Sequence, residues 1–329
     1  MTARLQRRFR FRVKTLESGR DVLHFPFASI SDIHWGTRAC RAKRFAQMMH
    51  HVEADEWHAV GDIIDFKHLS KKERWNIGPW HRQGMAHILR KAAGGAPVLY
   101  YRGNHETGMR EMDEHRAGTP APIWRTNREL MGVRLVYEHT RTDARGRKNH
   151  ILHGDVFDYG AFESQKLKGL MRVLTALLGS KKNAEGFIYN VCNGIYESLY
   201  SVDSLLQSIP PLENASLAAL AKKAFKGFIN ERLDIRRVIA QALDESPHDV
   251  MIYGHSHMAG FDWTPGGKLL INDGCSTEHV NMLVQDENGM YAILTWHRDG
   301  MEVEEEPDAP GQASKHYFVS WRELDVNHF

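Results

Sequence analysis

The stretch FPFASISDIH, residues 25–34, passes from a short apolar segment directly into Asp32 and His34. In a β-strand, positions i and i+2 point to the same side, so these two side chains would project together from the end of the strand. A carboxylate and an imidazole on one side form half of a metal site. From this stretch alone, the alternative is an N-cap aspartate followed by a surface histidine.

Strand and helix patterns alternate in the first third of the chain. Apolar residues predict strands over residues 27–33, 57–64 and 97–101. The spacing of apolar residues over 41–52 and 85–92 is that of amphipathic helices. This β-α-β-α-β order predicts a parallel sheet with right-handed crossovers.

Shorter strands follow after residue 130, interrupted by a long segment with helical periodicity over about 160–247. The predicted strands cover residues 133–137, 150–153, 250–253, 269–271, 282–284 and 291–296. We therefore predict a basic N-terminal segment over 1–24, a main domain over 25–300 that contains the helical insert, and an acidic C-terminal tail over 301–329.

The bulk composition is that of an ordinary globular chain. Its 329 residues are 42% hydrophobic and 26% charged, with a net charge of +2, which is too small to argue for nucleic acid. No segment is long and apolar enough to span a bilayer, and no apolar region follows the basic N-terminus as in a secretory signal. Three widely spaced cysteines, Cys40, Cys192 and Cys275, favour a reducing cytoplasm over a disulfide framework.

Side chains suited to metal binding follow five of the predicted strands. The motifs are Asp32-Ile33-His34, Gly61-Asp62-Ile63-Ile64-Asp65, Gly103-Asn104-His105-Glu106, His153-Gly154-Asp155 and Gly254-His255-Ser256-His257. In open α/β sheets, sites form outside the carboxyl ends of the strands. Each motif is weak alone, but five in order predict a metal site to which Asp32 and His34 contribute.

Together these five motifs resemble the signature of the calcineurin-like metallophosphoesterases over residues 25–300. The resemblance implies an α/β (α+β) fold, a two-layered mixed β sandwich flanked by helices, with the helical insert as an addition or lid. It also implies two divalent metal ions. One would take Asp32, His34, Asp62 and His257, and the other would take Asp62, Asn104, His153 and His255, so that Asp62 bridges them.

The same resemblance implies hydrolysis of a phosphoanhydride or phosphodiester by a hydroxide that bridges the two metals. The oxygen and nitrogen donors suit Mn²⁺, which we favour, as well as Fe or Zn²⁺. Besides Asp62, the catalytic residue would be His105, which would protonate the leaving oxygen or hold a phosphoryl oxygen. Asp65 and Asp155 are expected beside the ligands, with Asp65 orienting a histidine.

Three further blocks, in residues 31–65, 153–158 and 271–274, look like the UDP-2,3-diacylglucosamine diphosphatase-like branch. Phe66-Lys67 replaces the Arg-Gly that continues the second motif in Ser/Thr protein phosphatases. One departure is His105, where the best-known diphosphatases have arginine. The alternatives are a phosphodiesterase on cyclic nucleotides or nucleic acid ends, and a scaffold without catalysis, which is disfavoured because every ligand is present.

The expected partner is a phosphorylated small molecule or a lipid-linked nucleotide, in a cytoplasmic protein with peripheral contact to the inner membrane. The apolar face of Leu167–Leu178 either covers an acyl chain or packs on its neighbours. The basic N-terminus is most simply solvated charge, and nucleic acid is not the expected partner. Arg38 and Arg41 either contact a substrate phosphate or belong to a charged helix surface. The sequence predicts no oligomeric state.

Overall fold

The structure is a computed structural model that describes residues 9–37, 39–65, 78–106, 133–157 and 235–324. Arg38, Cys192, Leu167–Leu178 and most of the predicted helical insert lie outside these residues. The chain divides into two compact units, one formed by Met1–His153 with Ser246–Phe329 and the other by Gly154–Glu245.

Fourteen strands and three α-helices are present in the described ranges. The strands are β1 (Arg12–Thr15), β2 (Asp21–Ile30), β3 (Val52–Val60), β4 (Val98–Tyr101), β5 (Val133–Val136), β6 (Glu138–Thr142), β7 (Lys148–Leu152), β8 (Val250–Tyr253), β9 (Gly260–Trp263), β10 (Leu269–Asn272), β11 (Asn281–Gln285), β12 (Tyr291–Trp296), β13 (Gly300–Glu305) and β14 (Lys315–Ser320). The helices are α1 (Ala42–His51), α2 (Pro79–Ala93) and α3 (Ile235–Asp244), the last of which lies in the second unit. None of these helices is long and apolar enough to cross a membrane.

The larger sheet has the order β14-β13-β12-β11-β2-β3-β4-β5, with β1 paired to β2. Strands β2, β3, β4 and β5 are parallel, and α1 and α2 lie between them in the chain. The predicted parallel sheet is therefore confirmed. Because parallel strands share one direction, their carboxyl ends meet at one edge of the sheet.

The smaller sheet has the order β6-β7-β8-β10-β9 and packs on the larger one. Their common core contains Phe27 and Tyr101 from the larger sheet and Ile151, Ile252 and Ile271 from the smaller one, all at most 1% exposed. Each such apolar side chain stabilises the fold by about 1.5–3 kcal/mol. A second core lies between the larger sheet and the helices α1 and α2. The predicted mixed α/β class with two sheets is confirmed.

Both chain ends contribute more to the larger sheet than the sequence predicts. Within the predicted acidic tail, β13 and β14 pair as strands of the larger sheet. The reason is a period of two, in which Met301 and Val303 are buried while Glu302 is exposed. Within the predicted basic segment, β1 pairs with the first residues of β2.

Candidate metal centre

Backbone conformations in the left-handed region are concentrated after the strands that carry the motifs. Five non-glycine residues of the described chain have such φ values. They are Asp32 (49°), His34 (49°), Asp62 (51°), His255 (60°) and His257 (58°). This conformation costs on the order of 1–3 kcal/mol per residue and is found mostly at functional sites. All five belong to the ligand set expected from the sequence.

Glycines next to these residues allow the loops to approach one another closely. A Cβ atom at Gly61 would lie 2.5 Å from the His153 ring, and one at Gly254 would lie 2.6 Å from Oδ2 of Asp32. A Cβ atom at Gly103 would overlap the Asp62 carboxylate. The absence of a side chain at these positions is therefore what lets the three loops form one site.

A first group of donor atoms comes from Asp32, His34 and His257. Oδ1 of Asp32 lies 3.0 Å from Nε2 of His257 and 3.9 Å from Nε2 of His34. Oδ2 accepts the backbone N–H of His255 at 2.7 Å, whereas the buried Oδ1 accepts no hydrogen bond from the described residues. A buried acceptor without a donor is costly, and a cation between the three side chains would satisfy it.

A second group comes from Asp62, His153 and His255, with Asn104 beside it. Nδ1 of His153 donates to the carbonyl oxygen of Val60 at 2.8 Å. In the neutral ring, Nε2 therefore presents its lone pair, and it lies 3.4 Å from both Oδ2 of Asp62 and Oδ1 of Asn104. Nε2 of His153 thus faces two acceptor oxygens, and a cation bound among these atoms would satisfy all three.

Asp62 lies between the two groups. Its Oδ2 is 3.4 Å from Nε2 of His153 and 3.9 Å from Nε2 of His34. Burial by itself would raise the pKa of Asp62, but His153, His105 and His34 outweigh it and hold the pKa well below the usual range. The carboxylate is ionised at neutral pH and is placed to contact a cation in either group.

One carboxylate oxygen accepts hydrogen bonds from two histidines, a predicted metal ligand and the predicted proton donor. Oδ2 of Asp65 accepts Nδ1–H of His105 at 2.8 Å and Nδ1–H of His34 at 3.1 Å. Nε2 of both rings is thereby directed toward Asp62, 3.9 Å away in each case. Burial lowers the pKa of His105, and the nearby Asp62 and Asp65 offset part of that effect. Asp65 therefore orients two histidines, where the sequence suggested one.

Two further predicted residues, Arg41 and Asp155, are described in the structure. Arg41 is 6% exposed, and its Nε donates to the carbonyl oxygen of Thr277 at 3.3 Å. The Thr277 hydroxyl lies 3.1 Å from Nδ1 of His257, so Arg41 contacts the loop beside the site, and its contact with a substrate phosphate stays a prediction. Asp155 begins a 3-10 turn, Asp155–Phe157, in the second unit.

Glu106 has a role that the sequence did not indicate. Its carboxylate accepts the backbone N–H groups of Asp62 (3.0 Å), Ile63 (2.9 Å), Ile64 (3.2 Å) and Gly103 (2.9 Å), together with the Tyr100 hydroxyl (2.7 Å). Burial raises its pKa to about 7. It joins the loop of Asp62 to the loop of Asn104 and His105. In the sequence, the only sign of this role is an acidic residue at the end of Gly-Asn-His-Glu. The donors to Glu106 are mostly backbone groups, which the sequence does not reveal.

No protein-family model and no curated protein matches the chain. Among solved structures, a dimetal phosphatase from Danio rerio is 13% identical, with 90% of this chain and 99% of that chain covered and a TM-score of 0.37. A predicted phosphoesterase from Streptococcus pneumoniae is 12% identical, with 89% and 97% covered and a TM-score of 0.28. Vps29 from Entamoeba histolytica, solved with zinc, is 12% identical, with 90% and 98% covered and a TM-score of 0.30. Because these TM-scores are low, we infer the chemistry of this chain from its own residues.

Proposed function

We propose that the protein is a dinuclear metal-dependent phosphoesterase. The observation that carries the proposal is the position of Asp62, whose Oδ2 lies 3.4 Å from Nε2 of His153 and 3.9 Å from Nε2 of His34. One ionised carboxylate between two buried groups of ligand atoms favours a pair of cations over a single one.

The donor chemistry fits such a pair. Asp32, His34 and His257 would hold one cation, while Asn104, His153 and His255 would hold the other, with Asp62 shared. Carboxylate, amide and imidazole donors suit Mn²⁺, Fe and Zn²⁺, of which we favour Mn²⁺. When bound, two divalent cations supply a water molecule activated as a nucleophile and stabilise the charge that develops at phosphorus.

His105 would supply the proton for the leaving oxygen, and Asp65 would orient the His105 ring. Asp65 accepts Nδ1–H of the His105 ring, so Nε2 faces the site, and the doubly protonated ring would donate its Nε2 proton to the leaving oxygen. The backbone N–H of His105 donates to Oδ1 of Asp62 at 2.7 Å, which ties the acid to the shared ligand. In this arrangement, a phosphoester bound between the cations would lie next to its proton donor.

For the substrate we propose a pyrophosphate of the UDP-2,3-diacylglucosamine type, with peripheral contact to the inner membrane. Support for this choice comes from the sequence blocks in residues 31–65, 153–158 and 271–274. The alternative, a phosphodiesterase on cyclic nucleotides or nucleic acid ends, uses the same metal chemistry. The two differ only in what is bound beside the phosphoryl group.

The test is hydrolysis by metal-stripped protein reloaded with Mn²⁺, with bis(p-nitrophenyl) phosphate and UDP-2,3-diacylglucosamine as parallel substrates. Asp62→Asn should abolish activity, whereas Asp286→Asn, at a buried carboxylate in the β11–β12 hairpin, should retain it. Release of UMP from the lipid supports the full proposal. Activity on the diester alone supports the metal-dependent phosphoesterase and overturns the proposed lipid substrate. Inactivity on both substrates contradicts the proposal that the protein is an enzyme.

A further inference from the structure

The carboxylate of Asp273 is fully buried and is hydrogen-bonded to Ser31, the residue before Asp32. Oδ2 of Asp273 accepts the Ser29 hydroxyl and Oδ1 accepts the Ser31 hydroxyl, both at 2.6 Å. None of these three residues is more than 2% exposed. The two serines lie at the end of β2 in the larger sheet, whereas Asp273 follows β10 in the smaller one. The carboxylate therefore joins the two sheets.

The segment around Asp273, residues 272–276, contacts the two loops that carry the first donor group. On the smaller sheet, Nδ2 of Asn272 donates to the carbonyl oxygen of Gly254 at 2.7 Å, just before His255. On the larger sheet, the backbone N–H of Ser276 donates to the carbonyl oxygen of Asp32 at 3.1 Å. This segment thus holds the loops that carry Asp32 and His257.

The spacing of the donors depends on these contacts. Asp32 and His34 follow a strand of the larger sheet, while His257 follows β8 of the smaller sheet. Contacts between the sheets, including the His255 N–H bond to Oδ2 of Asp32, therefore help to fix the 3.0 Å separation of Asp32 and His257. Hydrogen bonds to a carboxylate are among the shortest and strongest in proteins, and Asp273 makes two of them one and three residues before Asp32.

We propose that Asp273 is a positioning residue that sets Asp32 against His257 and so determines the affinity of the first donor group for its cation. This proposal rests on the metal centre of the proposed function. Asp273 itself contacts the serine hydroxyls and lies outside the expected ligand set. Its effect would pass through Ser31 to the adjacent Asp32.

The test is Mn²⁺ binding to the metal-stripped full-length protein, measured by isothermal titration calorimetry. In Asp273→Asn we expect the affinity for one of two ions to fall 10- to 100-fold, the usual effect of removing a residue that orients metal ligands. Asp286→Asn is the matched control, since Asp286 is a buried carboxylate that accepts the N–H groups of Arg10, Asn288 and Met290. It should lower thermal stability without changing either affinity.

Separate outcomes identify which proposal fails. If the wild type binds two ions and Asp273→Asn binds both with unchanged affinity, the positioning role is wrong and the proposed function stands. If the wild type binds no Mn²⁺, the proposed function fails first. If Asp273→Asn does not fold, Ser31→Ala decides, because it removes one hydrogen bond next to Asp32. Unchanged affinities in that variant would overturn the inference.

Discussion

Nε2 of His153 lies 3.4 Å from Oδ2 of Asp62, while Nδ1 of the same ring donates to the carbonyl oxygen of Val60. A backbone carbonyl oxygen can only accept, so Nδ1 carries the proton and Nε2 of the neutral ring is an acceptor. Two acceptors facing each other in a buried site repel unless a proton or a cation lies between them. Oδ1 of Asp32 and Nε2 of His257 face each other at 3.0 Å in the first group, and these two close pairs are the physical basis of the proposed centre.

His105 should affect the reaction rate and leave metal binding intact. In His105→Asn we expect kcat on bis(p-nitrophenyl) phosphate to fall about 10²- to 10⁴-fold, the usual contribution of a general acid. The variant should still bind two ions per chain, as measured by elemental analysis. An unchanged kcat, or a lost ion, would contradict the assigned role.

Asp65 should affect metal affinity and catalysis together, because one oxygen accepts from both His34 and His105. In Asp65→Asn the amide can turn its oxygen toward the rings, but it lacks the negative charge that strengthens both bonds. We expect a loss of about 10- to 100-fold in Mn²⁺ affinity and a shifted pH profile of kcat. A profile identical to that of the wild type would show that Asp65 does not act through His105.

Glu106 should matter for the metal centre more than an equally buried carboxylate elsewhere. Glu106→Gln places an amide N–H₂ group against backbone N–H donors, which should displace the loop of Asp62 and weaken Mn²⁺ binding at least 10-fold. Glu305→Gln is the control, because Glu305 also accepts a backbone N–H, from Phe9, and a tyrosine hydroxyl, from Tyr317. Calorimetry should show altered Mn²⁺ binding only in Glu106→Gln. Equal effects of the two variants on binding would count against a specific role.

The free energy of unfolding should decrease at acidic pH because of His87. Burial lowers the pKa of His87 to about 4, with added repulsion from Arg90, His50, Lys91 and Arg20. An ordinary histidine titrates near 6.5. Between these values the unfolded chain binds a proton that the folded chain does not, so the free energy of unfolding decreases as the pH falls from about 6.5 to about 4.

His87→Phe should remove part of this dependence, on the order of 1 kcal/mol across that interval, as measured by urea unfolding at pH 7 and pH 4.5. His316→Gln is the control, since the side chain of His316 is 68% exposed. The same pH dependence in wild type and His87→Phe would assign the acid sensitivity to other groups.

The parallel half of the fold was predictable because its signals are local. The apolar runs of β2, β3 and β4 and the helical stripe that includes Phe45 and Met49 follow directly from periodicity. The motif residues come after those strands, and the common edge of a parallel sheet brings them together. His153 and His255 follow β7 and β8 of the smaller sheet, and only the resemblance to the calcineurin-like metallophosphoesterases predicted that they lie near Asp62.

The features that the sequence did not predict depend on tertiary contacts, which the residue pattern does not show. Glu106 accepts mainly from backbone N–H groups, which any residue type supplies. Residues 301–306 are mostly acidic, so the composition predicts a tail. The alternate positions Met301 and Val303 are nevertheless apolar and belong to a strand. In each case the tertiary partner determined the role.

The most direct test of the dinuclear centre is anomalous diffraction from crystals of the protein soaked in Mn²⁺. A dinuclear centre predicts two peaks, one bounded by Asp32, His34 and His257 and the other by Asn104, His153 and His255, with the Asp62 carboxylate contacting both. No peak at these side chains, or a single peak that Asp62 does not touch, would contradict it.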